Sequence, residues 1–391
     1  MEAYFLLSIP LVCLSIAIIC TKCFKWWYYP ALLSVCSLSI FLTQVCMEKV
    51  ETSDVEYLGS LGVRAVHYEP WETHVHKTCT RTYSCNCSTD SKGHSSCQTC
   101  TETYDCSYCD YHPEKYGIIN DFNESYSISR SFYNQLVKRW KNEQFQELNR
   151  SINYSGGCGQ DGNMYYSDWN NDPLQSEGIV KFHTYENRTQ AAHSVFKFND
   201  ISKKEALRLG LYNYPSFYGD GGYKQNVVLG IDSIKITEAQ KLAIERRFQY
   251  LNATLGPKKQ VKIFVLLFYN KDLSIALEQR DYWKGGNKNE MVICIGLDKS
   301  LKLQWVYPFS WTDETRIHVD IREDLMEQKV LDFNWLFHYL EKEVNDKWSR
   351  KRFRDFKHIS IELNSAGWWI DSVLILIFTG IMCFIIINEE K

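Results

Sequence analysis

Eight cysteines carry the chemistry that can be read most directly from this chain. Seven lie between Cys79 and Cys109, and the eighth, Cys158, stands in a glycine loop. The stretch contains two near-copies, Thr78-Cys79-Thr80-Arg81-Thr82-Tyr83-Ser84-Cys85 and Thr99-Cys100-Thr101-Glu102-Thr103-Tyr104-Asp105-Cys106. Alternating Thr and Tyr favour strands, and the Asp, Ser, Lys and Gly between the copies favour a turn, so the spacing predicts a β-hairpin over residues 74–109. An antiparallel register in which opposed residue numbers sum to 185 sets Cys79 against Cys106 and Cys85 against Cys100 together. Cysteines six apart share one face of a strand, and the close approach of opposed residues suits a disulfide. Cys87 then meets Cys97 near the turn, and Cys109 is left for Cys158. Zinc is the rival chemistry. Cys97-x2-Cys100 and Cys106-x2-Cys109 form two knuckles with His74, His76, His94 and His112 nearby, but the spacer between them is short against the about 12 to 20 residues of common zinc modules. Disulfides are the expectation and imply an oxidising compartment; zinc would favour the cytosolic side.

Other reactive arrangements do not develop. Gly219, Gly221 and Gly222 lack the Lys-Ser/Thr of a phosphate-binding loop, and there is no serine elbow. The sequence positions no histidine beside Cys158, so a disulfide accounts for it better than a nucleophilic role. Asp168, Asn170 and Asp172 alternate like the start of a calcium loop, yet the glycine and glutamate such a loop needs are missing, and turn chemistry accounts for them. Sequons at Asn86, Asn123, Asn149, Asn153, Asn187 and Asn252 predict glycosylation and agree with a secretory route. A net charge of −3 gives no ground for a nucleic-acid partner.

The elements around these residues divide the chain. Residues 4–20 and 31–47 are uncharged apolar runs joined by Lys22, Lys25 and a cluster of aromatic residues, which predicts a transmembrane helical hairpin with an interfacial belt. A third span is expected from Trp368 to Asn388, within a C-terminal segment 367–391, with Asp371 at headgroup depth. The basic loop at Lys22 and Lys25 predicts a cytosolic side for that loop and an extracytoplasmic side for residues 48–366. A literal charge count at Arg350, Lys351, Arg352, Arg354 and Lys357 argues the reverse, but long folded domains translocate largely regardless of charge.

Residues 48–195 form a disulfide-rich polar region with one amphipathic helix in 129–148. From residue 196 to 366 helices alternate with buried apolar strands, which predicts a helix-covered sheet. Its strands are expected near Val228, at 261–268, 291–297 and 303–307, with a last one at 359–363. Its helices are expected at 237–253, 272–283 and 322–350. Cys294, in the run Met291 to Leu297, is expected as a buried free thiol. The fold class is thus α/β (α+β): a mixed sheet in the C-terminal half, a cysteine-rich β-hairpin region before it, and three transmembrane helices.

Residues 228–320 resemble the TPM domain family. The likeness rests on an Asp before a helix opened by Ile236-Thr237-Glu238, the strand KIFVLL, a helix running into Tyr282-Trp283-Lys284-Gly285-Gly286, and Asn287-Lys288-Asn289-Glu290 before the strand MVICIGLD. Glu290 stands where the family commonly has a second small residue. The resemblance implies a membrane-tethered α/β domain linked to complex assembly or acid phosphatase activity, with a divalent metal held by acidic residues near strand ends. Carried over, it makes Asp232, Asn287 and Asn289 the candidate site. The function expected is a non-enzymatic membrane-anchored interaction or assembly protein without cofactor, whose partners are the lipid bilayer and other membrane proteins. The alternatives are a TPM-like metal-dependent phosphohydrolase and a zinc-binding, cytosol-facing membrane protein.

Overall fold

A computed structural model describes residues 2–21, 25–89, 91–93, 95–148, 158–159, 161–191, 198–361 and 364–389. Lys22, His94, Asn149, Asn153 and the end of the strand expected at 359–363 lie outside them.

The chain opens with helices α1 (Ser8–Thr21) and α2 (Tyr28–Glu51) and closes with α10 (Ser365–Glu389). Leu14, Leu32, Cys36, Ile40, Ile375 and Ile386 pack the three together. Two of them, α2 and α10, are long and apolar enough to cross a membrane; three such helices were expected. The α-helical part of the first run has only 14 residues, about 21 Å against the ~30 Å of a bilayer core. Proline is best tolerated in the first turn of an α-helix, and Pro10 holds that place, with Glu2–Leu7 before it in a tighter 3-10 winding. Asp371, near the start of α10, is fully buried against the protein.

The N-terminal half is built on one long strand, β1 (Ser53–Tyr68). Its first part pairs with β10 (Gly178–Glu186), and its second lies between β6 (Lys115–Asn120) and β9 (Met164–Asp168), with β7 (Ser125–Ser127) and β8 (Glu143–Gln146) outside them. Helix α3 (Arg130–Trp140) buries Phe132, Tyr133, Leu136 and Trp140 against this sheet. Ser129 caps it by accepting from Phe132 N–H, and Lys141 ends it in the left-handed region. Only the first half of the amphipathic stretch is helical, because its second half supplies β8.

The C-terminal sheet runs β11 (Val228–Leu229), β12 (Lys262–Tyr269), β13 (Glu290–Leu297) and β14 (Leu303–Ser310), the first three parallel and the last antiparallel. Beyond their first residues, β12 and β13 are continuous apolar runs, as strands buried on both faces require. Cys294 is fully buried at the centre of β13, and burial pushes its thiol up. After the short helices α4 (Arg188–Ala191) and α5 (Lys203–Leu209), helices α6 (Glu238–Lys259) and α7 (Ser274–Tyr282) pack into this core. A capping box between Thr237 and Gln240 starts α6. The single helix expected at 322–350 is two, α8 (Arg316–Gln328) and α9 (Phe333–Lys347). Lys329 turns to positive φ, Val330 bridges to Lys302, and Asp332 caps α9 through Asn334 and Trp335 N–H. Ile359 to Ile361 form no strand.

Helix α6 joins the halves. It packs on β12 and is crossed by β1 at Gly59, where an added Cβ would lie 2.6 Å from the Asn252 carbonyl carbon. Asn252 is buried there, donating to Ile263 O and accepting from Ile263 N. Arg350 adds a tie, reaching both oxygens of buried Glu56 on β1 at 2.6 and 2.9 Å.

Candidate functional site

Strands β1 and β6 continue outward as β2 (Trp71–Val75) with β5 (Tyr108–His112), then β3 (Thr78–Thr89) with β4 (Ser95–Asp105). Opposed residue numbers sum to 183 from Arg64 opposite Ile119 to Cys85 opposite Gln98, so this is one hairpin rooted in the main sheet. The expected register is corrected by two residues, because pairing in the sheet sets it and not the facing of cysteines. A two-residue slip leaves every side chain on its face. The disulfides therefore bridge diagonally. Cys79 lies opposite Tyr104 and is bonded to Cys106, and Cys85 lies opposite Gln98 and is bonded to Cys100, with Cα atoms 5.7 and 5.8 Å apart. Beyond an irregularity at Asn86, which has positive φ, Cys87 is bonded to Cys97. Cys109 is bonded to buried Cys158, fastening β5 to the segment at Cys158 and Gly159. The zinc alternative used Cys97, Cys100, Cys106 and Cys109, and each of these belongs to a different disulfide. A disulfide sulfur is not the thiolate that zinc needs.

The two faces of β3–β4 differ. One carries Cys79, Arg81, Tyr83 and Cys85 with their opposed partners, and Arg81 donates to Glu102 at 2.5 Å. The other is a hydroxyl ladder in which Thr80 opposes Thr103, Thr82 opposes Thr101 and Ser84 opposes Thr99. Nearly all of these residues are exposed, including Tyr83 and Tyr104 at 47% and 45%.

The residues implied by the TPM resemblance are not brought together. Asp232 follows β11, at the C-terminal end of the parallel strands, where its exposed carboxylate meets Lys241 at 3.2 Å. Asn287 and Asn289 precede β13, at the opposite end. One strand length, about 25 Å, separates them. Among the described residues, no cluster of three His, Cys, Asp or Glu side chains could hold a metal.

Asn287 instead lines a cleft of about 570 Å³ with Asp54, Tyr57, Tyr214, Tyr282 and Trp283. Beneath it lies a polar layer that the sequence reading missed. Lys262 and Glu290 are register partners at the heads of β12 and β13. Burial pushes the Lys262 amine down and the Glu290 carboxyl up. Lys262 Nζ is bonded to Gln225 and lies 5.3 Å from the Tyr57 ring centre. Glu290 accepts from Tyr214 O–H at 2.5 Å and from Asn287 N–H at 2.9 Å, while Asn287 Nδ2 donates at 3.1 Å. Both carboxylate oxygens are thereby occupied, so Glu290 is held as a structural acceptor and not presented as a base. Aromatic faces beside Asp and Asn suit a polar ligand with a flat apolar surface. The signal was available: each apolar strand is immediately preceded by one charge, of opposite sign, in matching register.

Two sequons are corrected. Asn187 is buried and donates to Asp54 at 2.7 Å, and Asn252 is buried against β12, so neither presents its amide in the folded protein. Asn86 and Asn123 are exposed. No family model, no curated protein and no solved structure matches the chain.

Proposed function

We propose that the chain is a non-enzymatic, membrane-anchored recognition or assembly protein that presents its cross-linked hairpin on the extracytoplasmic side. The construction of that hairpin carries the reading. Three disulfides hold a ribbon whose two faces are both exposed, so the cross-links stabilise a surface and not a core. An isolated two-stranded ribbon is marginal in water, and each link adds about 2 to 4 kcal/mol. Tyr83 and Tyr104 supply rigid amphipathic contact area of the kind interfaces favour. The Thr ladder adds regularly spaced donors and acceptors.

In this reading α2 and α10 cross the bilayer, α1 lies against them, and the turn at Lys25 faces the cytosol. Residues 52–364 then fold outside, where disulfides persist. The partners are other membrane or assembly proteins. The TPM-like phosphohydrolase is less well supported, because Asp232 and the two asparagines lie at opposite ends of the sheet.

Photo-crosslinking in intact membranes tests the proposal. Benzophenone side chains at positions 83 and 104 are expected to give discrete protein adducts, and one at exposed Leu207 on α5 is expected to give none. Adducts from position 207 alone, or from no position, would contradict it.

A further inference from the structure

From the geometry of the segment before α10 we infer a second site: a pocket for the phosphate of an anionic phospholipid in the leaflet beneath the folded domain. A cavity of about 570 Å³ is lined by Lys288, Arg350, Lys351, Arg352, Arg354 and Lys357. Its single acidic lining residue, Glu186, is engaged by Arg188 at 2.5 Å. Arg350 and Lys288 are partly neutralised by buried Glu56, at 2.6 and 3.4 Å, and Lys351 faces Asp313 at 3.8 Å. Arg352, Arg354 and Lys357 are exposed and have no carboxylate partner among the described residues. The pocket therefore carries uncompensated positive charge in a concave site, the arrangement that guanidinium groups use for bidentate phosphate binding.

Its place in the fold selects the source of the phosphate. Lys357 stands eight residues before Ser365, where α10 begins. Arg188 fastens this segment to the end of α2, donating to Ile359 O at 2.7 Å and pairing with Glu48. Asn364 is bonded to Glu51 at the last residue of α2. A second cavity of about 500 Å³ shares Tyr185 and Glu186 with the first and continues to Val45 on the apolar surface of α2. The two cavities thus meet at a shared Tyr185–Glu186 wall, and the second, lined also by Glu48, Lys49 and Arg188, lies on the side of the membrane helices. Basic side chains next to a membrane span attract anionic lipid additively.

The inference rests on α2 and α10 spanning the bilayer. That premise is read separately, by whether the full-length chain resists alkaline extraction from membranes. The site itself is tested on the full-length protein in neutral detergent micelles, titrated with phosphatidylglycerol or phosphatidylcholine and read by native mass spectrometry. Wild type is expected to prefer phosphatidylglycerol by about tenfold or more. The triple variant Arg352→Ala, Arg354→Ala, Lys357→Ala is expected to lose most of that preference while keeping its melting temperature. Equal binding of the two lipids, or an unchanged preference in a folded triple variant, overturns the site. Inorganic phosphate at millimolar concentration is the third arm. Failure to displace the lipid supports a lipid site, and full displacement reassigns the pocket to free phosphate and overturns the lipid assignment.

Discussion

Between pH 4.5 and 7 the carboxyl of Glu245 separates the folded from the unfolded chain. Burial beneath β11 pushes it up from 4.5 to about 7, against the opposing hydrogen bonds it accepts from Val227 and Val228 N–H. The folded state holds this proton where the unfolded state has released it. The contribution of Glu245 to stability is therefore complete below about 4.5 and is lost as the pH rises through about 7. Urea melts of wild type and Glu245→Gln at pH 4.5 and pH 8 measure it. Wild type is expected to lose about 2 to 3 kcal/mol relative to the variant across that interval. A difference independent of pH would mean that the carboxyl is not enclosed as described. Lys262 is present in both proteins and shifts in the opposite sense. This layer could have been anticipated from the lone charges before two apolar strands, whereas Gln225, Tyr214 and Tyr57 reach it only through long-range packing that no local spacing encodes.

Among the elements, the hairpin and the parallel strands were the most legible. The duplicated Thr-Cys-Thr motif marks both arms and the face each cysteine occupies, and the apolar runs mark β12 and β13. What local sequence does not encode is how far one arm slides past the other, since slips by even numbers of residues leave the facing unchanged. Pairing between β1 and β6, remote from the cysteines, decides that. The break between α8 and α9 was missed for a different reason. Apolar periodicity continues through it, and the cap at Asp332 is the only local signal. The ribbon buries little, so its stability is local. Cys85→Ser with Cys100→Ser is expected to speed tryptic cleavage at Arg81 and Lys92 by about 30-fold or more. The melting temperature of the remainder should not change. A fall in that temperature would instead make the ribbon part of the cooperative core.

For the whole molecule, two halves share α6, the apolar helices gather at one end, and the hairpin leaves the sheet formed on β1. Straight, that hairpin could reach up to about 70 Å beyond Tyr68. Recognition by the disulfide-held ribbon requires residues 52–364 to lie in an oxidising compartment. The most direct test is peptide mapping, without reduction, of the protein taken from its own membrane after alkylation of free thiols. The account predicts linked peptides joining Cys79 to Cys106, Cys85 to Cys100, Cys87 to Cys97 and Cys109 to Cys158, with Cys294 unlinked. Recovery of these eight cysteines as alkylated thiols would contradict it.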